Sequence, residues 1–208
     1  MKTTLLHPTY FGPIAHYAAI AQSDKVIFEN EDNYQKQTYR NRTYIYGANG
    51  KLLLSIPIKH NGKERRQLYR DVRIENDFKW QLLHWKSLES AYRTSPFFEY
   101  YEDELVHLFK KPKEFLLDFN YECRQVIMDC LQLETPFSKT NSYSKNPTEA
   151  IDLRDLVNAK KGKSYNFQHY IQVFEDKQGF ISNLSILDLL FNEGTNALSY
   201  LENQPVFS

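Results

Sequence analysis

The stretch LLHPTYFGPIAHYAAIAQSDKVIFE, residues 5–29, limits what this chain can fold into more than any other segment. Residues 3–7 are short, β-branched and apolar, and read as a strand. Pro8 and Pro13 bracket a loop. Ile14 to Ala21 has the spacing of a short, alanine-rich helix. Asp24 to Glu29, with Val26, Ile27 and Phe28, reads as a second strand. Strand, helix and strand in this order predict a βαβ unit with parallel strands. Ligands bind open parallel sheets beyond the carboxyl ends of the strands. His7 stands at that end of the first strand.

The next region changes period. RTYIYGANGKLLLSIPIK, residues 42–59, places two β-rich runs around Asn49-Gly50, which favours a tight hairpin turn. DVRIE at 71–75 suggests a further strand. Between them HNGKERRQLYR, starting at His60, is polar and basic and predicts a mobile loop. Helices follow at 78–92, 97–110 and 114–131, where apolar residues recur at helical spacing. The first of these carries Trp80, Leu83, Leu88 and Ala91. Phe115, Phe119, Cys123, Val126, Ile127 and Cys130 mark the buried face of the third. Residues 135–146 read as a Ser/Thr/Asn-rich loop with room for a short strand, and 148–158 as a helical turn or two. YIQVF at 170–174 reads as a late strand. Asn183–Asn192 reads as a helix with Asn183 as its N-cap, and Thr195–Glu202 as the last helix.

Composition excludes several classes. The 208 residues suffice for one sizeable core. The 26 basic and 26 acidic residues cancel, which gives no support for general nucleic-acid binding. Cys123 and Cys130 fall roughly 10 Å apart along a helix, too far for a disulfide. No run reaches the ~20 apolar residues of a membrane span, and the start lacks a secretion signal. These features predict a cytoplasmic protein with no membrane insertion.

The chemistry-bearing residues gather in four places. His7 and His16 flank the first strand–helix turn, where free helix N–H groups attract anions, and Tyr10 lies between them. Their plainer reading is a loop cap for His7 and a core hydrogen bond for His16. After the second strand come acids, then Gln35, Lys36, Arg40, Asn41 and Arg42, with Lys59 on the returning hairpin strand. Arginine forks and lysine point charges suit phosphate or carboxylate, although a solvated hairpin face is the commoner fate of such a run. His84 shares a helix face with Trp80. Asn183 and Ser185 stand at a late helix start, and Asp188 within that helix balances a base. No Walker loop, G-x-G-x-x-G, G-x-S-x-G or zinc spacing is present. The residues name neither a metal nor a cofactor.

Several blocks together resemble the WbqC-like family: HPTYFGPIAHY (7–17), NYQKQTYRNRTYI (33–45), LSIPIKH (54–60), WQLLHWKSLESAYRTSPFFEYY (80–101) and FISNLSILDLLFNEG (180–194). Family members commonly carry Gln-Pro where this chain has His7-Pro8. Some members belong to gene clusters for O-antigen or other surface polysaccharides. The resemblance implies a single α/β domain over residues 1–208 and a cytoplasmic step on a nucleotide-linked sugar. The opening also resembles the adenylyl/cytidylyltransferase superfamily, with Pro13-Ile-Ala-His16 keeping only the last residue of the T/H-x-G-H motif. That resemblance implies a nucleotidyltransferase-like start to a short parallel sheet, followed by an inserted hairpin and a helical middle. The leading expectation is a transferase with an anionic small-molecule substrate, a nucleotide or nucleotide-sugar. In it His16, His7 and His84 are catalytic, and Tyr10, Gln35, Lys36, Arg40, Asn41, Arg42, Lys59, Asn183 and Ser185 bind. A non-catalytic scaffold protein and a sugar-modifying acyl or aminoacyl transferase are the alternatives.

Overall fold

The computed structural model describes residues 1–59, 66–160 and 164–207. Its opening is the expected βαβ unit. Strand β1 (Thr3–Leu6) and strand β2 (Lys25–Phe28) pair in parallel with Thr3 opposite Lys25 and Leu6 opposite Phe28. Between them helix α1 (Ile14–Ala21) is apolar almost all round, and all but Ala21 of its residues are buried. A helix of that pattern belongs inside a core rather than on its surface.

The hairpin of β3 (Arg42–Gly47) and β4 (Gly50–Ser55) is antiparallel and pairs Arg42 with Ser55 and Gly47 with Gly50. Gly50 closes the turn with a φ of 96°, a conformation that costs glycine nothing. The helical middle comprises α2 (Trp80–Tyr92), α3 (Phe98–Val106) and α4 (Leu116–Cys130). Leu83, expected on the buried face of α2, is instead 62% exposed.

Two short strands complete the main sheet. Strands β5 (Phe137–Lys139) and β6 (Ile151–Asp152) flank the first two in the order β5-β2-β1-β6, all parallel. The expected helical turn at 148–158 is therefore a two-residue strand followed by a 3₁₀ turn at Arg154–Val157. The chain then runs through α5 (Glu175–Gln178), α6 (Ile186–Glu193) and α7 (Ala197–Glu202).

Three other expectations change. Residues 71–75 form no strand; Arg73 and Ile74 make only isolated bridges, to Phe115 and Ile58. Residues 170–174 alternate as a strand would, with Tyr170 and Gln172 buried and Ile171 78% exposed. No strand among the described residues pairs with them, and the segment is irregular through Gln172 and turns at Val173–Phe174 into α5. The N-cap of α6 is Ser185, whose Oγ accepts from the Leu187 N–H at 3.3 Å, and Asn183 lies two residues outside the cap. Of the basic loop expected after the hairpin, residues 60–65, including His60, lie outside the described residues.

One hydrophobic cluster joins β1, α1, the hairpin and helices α2, α3, α4, α6 and α7. Phe11, Phe28, Phe98, Phe119 and Phe191 are fully enclosed in it. Burying each such ring contributes about 1.5–3 kcal/mol. Helix α1 packs on α6 and α7, and the hairpin packs on α2. This arrangement leaves the carboxyl ends of β1, β2 and β6 open at one edge of the molecule.

Candidate functional site

A cleft of about 300 Å³ opens at that edge. His7 directly follows β1, Asp32 lies just beyond β2, and Asp152 ends β6. Gln35 and Arg40 come from the loop between β2 and β3, and Tyr143 from the loop between β5 and β6. Arg154, Asp155, Val157 and Asn158 complete the wall from the turn after β6. Two larger hollows lie elsewhere. One of about 600 Å³ runs between α3 and α4, and one of about 480 Å³ covers a sheet face beneath residues 138–150. Neither contains one of the buried polar atoms that lack a hydrogen-bond partner among the described residues, whereas three of those atoms belong to His7 and Arg40 in the strand-end cleft.

The floor of the cleft is a linked triad. Arg40, fully buried, directs Nη2 to His7 Nε2 at 2.9 Å and to Asp32 Oδ2 at 3.0 Å. Nε2 also lies 3.3 Å from Asp32 Oδ2, so the ring either accepts from Arg40, with its proton on Nδ1, or donates to Asp32 through Nε2. Burial first, and then the Arg40 charge, pull the His7 pKa down from 6.5 to about 4 against the opposing pull of Asp32. His7 is thus a neutral imidazole at neutral pH. Burial pushes the Asp32 carboxyl upward, but the contact with His7 and the charge of Arg40 outweigh it and leave the group below its ordinary value.

The triad is braced from behind. The Arg40 guanidinium lies 5.3 Å from the Tyr69 ring centre. The Tyr69 hydroxyl donates to the Pro8 carbonyl, and the Asn120 amide donates to Tyr69 and to the Arg40 carbonyl. Yet His7 Nδ1 and Arg40 Nε and Nη1 have no partner among the described residues. Buried polar atoms of this kind are normally satisfied, so the floor is chemically incomplete.

The second arginine is saturated. Arg154 bonds Asp152 through Nε and Nη2 at 2.9 and 2.7 Å, the Ser144 and Lys145 carbonyls, and the buried Glu29 at 3.3 Å. It ties together the ends of β2 and β6 and the loop over them. Asp155 is exposed, and its carboxylate has no side-chain partner among the described residues. The lining therefore carries three carboxylates against two guanidinium groups, with a neutral His7.

The expected single mouth is divided among several places. His7, Arg40 and Gln35 meet in the cleft, and exposed Lys36 follows Gln35 in the chain. His16 is enclosed within α1, 5.6 Å edge-on to the Tyr17 ring; burial first, then the charges of Arg124 and His7, lower its pKa to about 3. His84 and Tyr10 do meet, with Nδ1 and the hydroxyl 2.9 Å apart, but inside the core beside Trp80 and Phe119. Burial lowers His84 to about 4. Asn41 donates to the Ile56 carbonyl, Arg42 begins β3, and Lys59 lies in a separate shallow groove with Arg73 and Lys113.

Asn183 and Ser185 do reach the start of α1, and they close it. The Ile14 N–H donates to the Leu184 carbonyl and the Ala15 N–H to Asn183 Oδ1, both at 2.9 Å. Ser185 donates to the Phe11 carbonyl. The helix-terminal donors are thereby consumed by protein acceptors, and the anion site expected at this turn is filled. Asp188 has no basic partner among the described residues. It is fully buried and accepts from the Tyr92 and Tyr170 hydroxyls and the Gln172 amide.

Sequence reasoning passed over Asp32, Tyr143, Asp152, Arg154, Asp155 and Asn158. A signal existed for some of them. Asp32 sits in the acid run FENED just after β2. IDLRDL at 151–156 is an apolar pair followed by alternating charges. That pattern also fits the end of a buried strand with polar residues at its mouth. Among the described residues no group of three or more His, Cys, Asp or Glu side chains is placed to hold a metal ion.

These features define an α/β protein with a polar cleft at the carboxyl ends of a short parallel sheet. The chain belongs to the WbqC-like protein family, whose model matches residues 7–169. It is also similar to the uncharacterized protein Rv1507c of Mycobacterium tuberculosis, with 24% identity over 96% of this chain and 97% of that one. No solved structure matches it. No helix among the described residues is long and apolar enough to cross a membrane.

Proposed function

We propose that the protein is a cytoplasmic transferase of surface-polysaccharide assembly that holds the sugar of a nucleotide-linked substrate in the strand-end cleft. The observation that carries this reading is the incomplete floor. A neutral His7 and a buried Arg40, fixed by Asp32, Tyr69 and Asn120, carry nitrogens without partners among the described residues, in a cleft at the topological position where α/β sheets take ligands. Family membership supports the polysaccharide setting, because some members lie in O-antigen gene clusters.

In this reading His7 carries its proton on Nδ1, and that N–H and the free Arg40 donors meet a sugar oxygen on which negative charge develops during transfer. Donors fixed in advance stabilise such charge without having to reorganise. A neutral imidazole suits that role, since it donates without a permanent charge to be neutralised. The excess of carboxylates keeps phosphate groups out of the cleft. They stay outside it, and exposed Lys36, next to Gln35 in the chain, is the cation proposed to meet them.

The test is a thermal-shift panel of nucleotide-sugars and their free nucleotides, followed by mass spectrometry for transferred product. At least one nucleotide-sugar is expected to raise the melting temperature beyond its free nucleotide, as binding to the native state must. His7→Gln and Arg40→Met are expected to keep the fold and lose that increment. A folded protein stabilised by no nucleotide-sugar overturns the reading. A protein that binds one with no turnover, alone or with a pathway partner, assigns it to the scaffold alternative.

A further inference from the structure

We infer that the sugar taken by this cleft is an amino sugar, with its ammonium group held by Asp155; the inference rests on the cleft being the sugar site. Two independent features point to it. The first is the charge of the wall. Arg154 is fully engaged by Asp152, Glu29 and two loop carbonyls, and Arg40 shares Asp32 with His7. Asp155 is the carboxylate of the lining left without a side-chain partner among the described residues, and it makes the cleft net acidic. A phosphate or carboxylate entering here meets uncompensated negative charge, whereas an ammonium meets an open acceptor.

The second feature is the floor. His7 is 3% exposed and Arg40 is fully buried; both line the cleft, and among the described residues Arg40 Nε and Nη1, both donors, and His7 Nδ1 have no partner. Those donors need oxygen acceptors on the ligand. A ligand that supplies oxygen atoms to the floor and a positively charged nitrogen to the wall is a sugar carrying a free amine. At about 300 Å³ the cleft sits at the small end of ligand pockets. It admits one sugar ring and leaves the nucleotide outside. The amine then belongs on the part of the ring remote from the anomeric phosphate, such as C4.

The experiment compares binding of matched probes by isothermal titration: UDP- and dTDP-linked 4-amino-4,6-dideoxyhexoses against the same nucleotides carrying 6-deoxyhexoses with a 4-hydroxyl. At pH 7 the amino form of at least one pair is expected to bind about tenfold more tightly, the scale of one charge-assisted hydrogen bond. Asp155→Asn is expected to bring the two affinities together, and Asp155→Glu to restore part of the preference. The preference is expected to fade at pH 10, where the amine is neutral. Equal binding of both forms, or a preference that survives pH 10 or Asp155→Asn, overturns the amino-sugar inference and leaves the cleft as a sugar site. Binding of neither form in either pair, by protein with an unchanged melting transition, removes the sugar reading itself.

Discussion

Two buried polar clusters of this molecule differ in one main respect. Around Asp188 every group is used: Tyr92 donates to one carboxylate oxygen at 2.7 Å, and Tyr170 and Gln172 donate to the other at 2.5 and 2.9 Å. The Tyr92 hydroxyl in turn accepts from the Tyr46 N–H, and the Gln172 carbonyl oxygen accepts from the Ile181 N–H. Around Arg40 the network is slightly more open, with Asp32 13% exposed, and Arg40 Nε and Nη1 and His7 Nδ1 are left without partners among the described residues. A closed network holds α2, α6, the hairpin and the 170–181 segment together. An open one, placed at the strand ends, reserves its capacity for something that arrives from outside. Completeness of hydrogen bonding is what separates these two clusters; among the described residues single unpartnered buried atoms also occur away from the cleft, at Asn41, Arg42, Trp80, Asn120 and Arg124.

Acid titration stresses the two clusters in opposite directions and carries the largest expected effect. His7, His16 and His84 have folded pKa values of about 4, 3 and 4, below the ordinary 6.5. Below pH 6.5 the unfolded chain takes up protons that the folded chain refuses. Stability is therefore expected to fall steadily between pH 6.5 and about 4, with each unit of depression worth about 1.4 kcal/mol. Burial raises the Asp188 carboxyl above its ordinary value despite its three donors. The stability it contributes is present below that ordinary value and is lost as pH rises through the raised one. Urea unfolding at half-unit pH steps reads the sum, and His84→Gln should flatten the fall. A profile level from pH 7 to 4.5 would contradict the neutral, buried histidines.

Asp188→Ala comes next. It strands two hydroxyls and an amide, and is expected to cost about 3 kcal/mol by chemical denaturation. A loss under 1 kcal/mol would break the distinction drawn above. Asn183→Ala is expected to cost about 1–2 kcal/mol, because it removes the acceptor of the Ala15 N–H and places alanine at a φ of 56°. Asn183→Gly, which relieves only the backbone, should recover part of that. The double variant Arg40→Met/Asp32→Leu should change stability least, by under about 1 kcal/mol, since removing both members of a buried ion pair together strands neither charge. It should still abolish the stabilisation by a nucleotide-sugar. If it instead destabilises as much as Asp188→Ala, Arg40 belongs to the architecture.

The same contrast explains how much could be read from the chain. Helix α1 begins and ends where its spacing placed it, because an apolar run that is buried all round leaves no choice of face. The hairpin was legible from its alternation and its glycine. Strand β6 was not, since two residues carry no period. The Tyr170–Phe174 segment shows the alternation of a strand, but the buried side is set by Asp188 and not by a neighbouring chain. Asn183 and Ser185 are both good capping residues; the choice fell to Ser185 because a distant amide, that of Ala15, claims Asn183. In the cleft, His7, Gln35 and Arg40 were picked out by residue type. Asp32 and Arg154 were hidden in charge runs, whose pairing depends on which strand ends come together.

The closure of α1 by residues 183–185 has a consequence for synthesis. The acceptor for the Ala15 N–H lies 168 positions downstream. The Leu184 carbonyl, which serves Ile14, is equally remote, and Gly12 in turn serves Ile186. Helix α1 is therefore made long before it is finished. Until residues 183–186 emerge from the ribosome, its leading amides face water. Assembly at this corner waits on them, and a nascent chain halted before residue 183 carries the βαβ unit in an unsealed form.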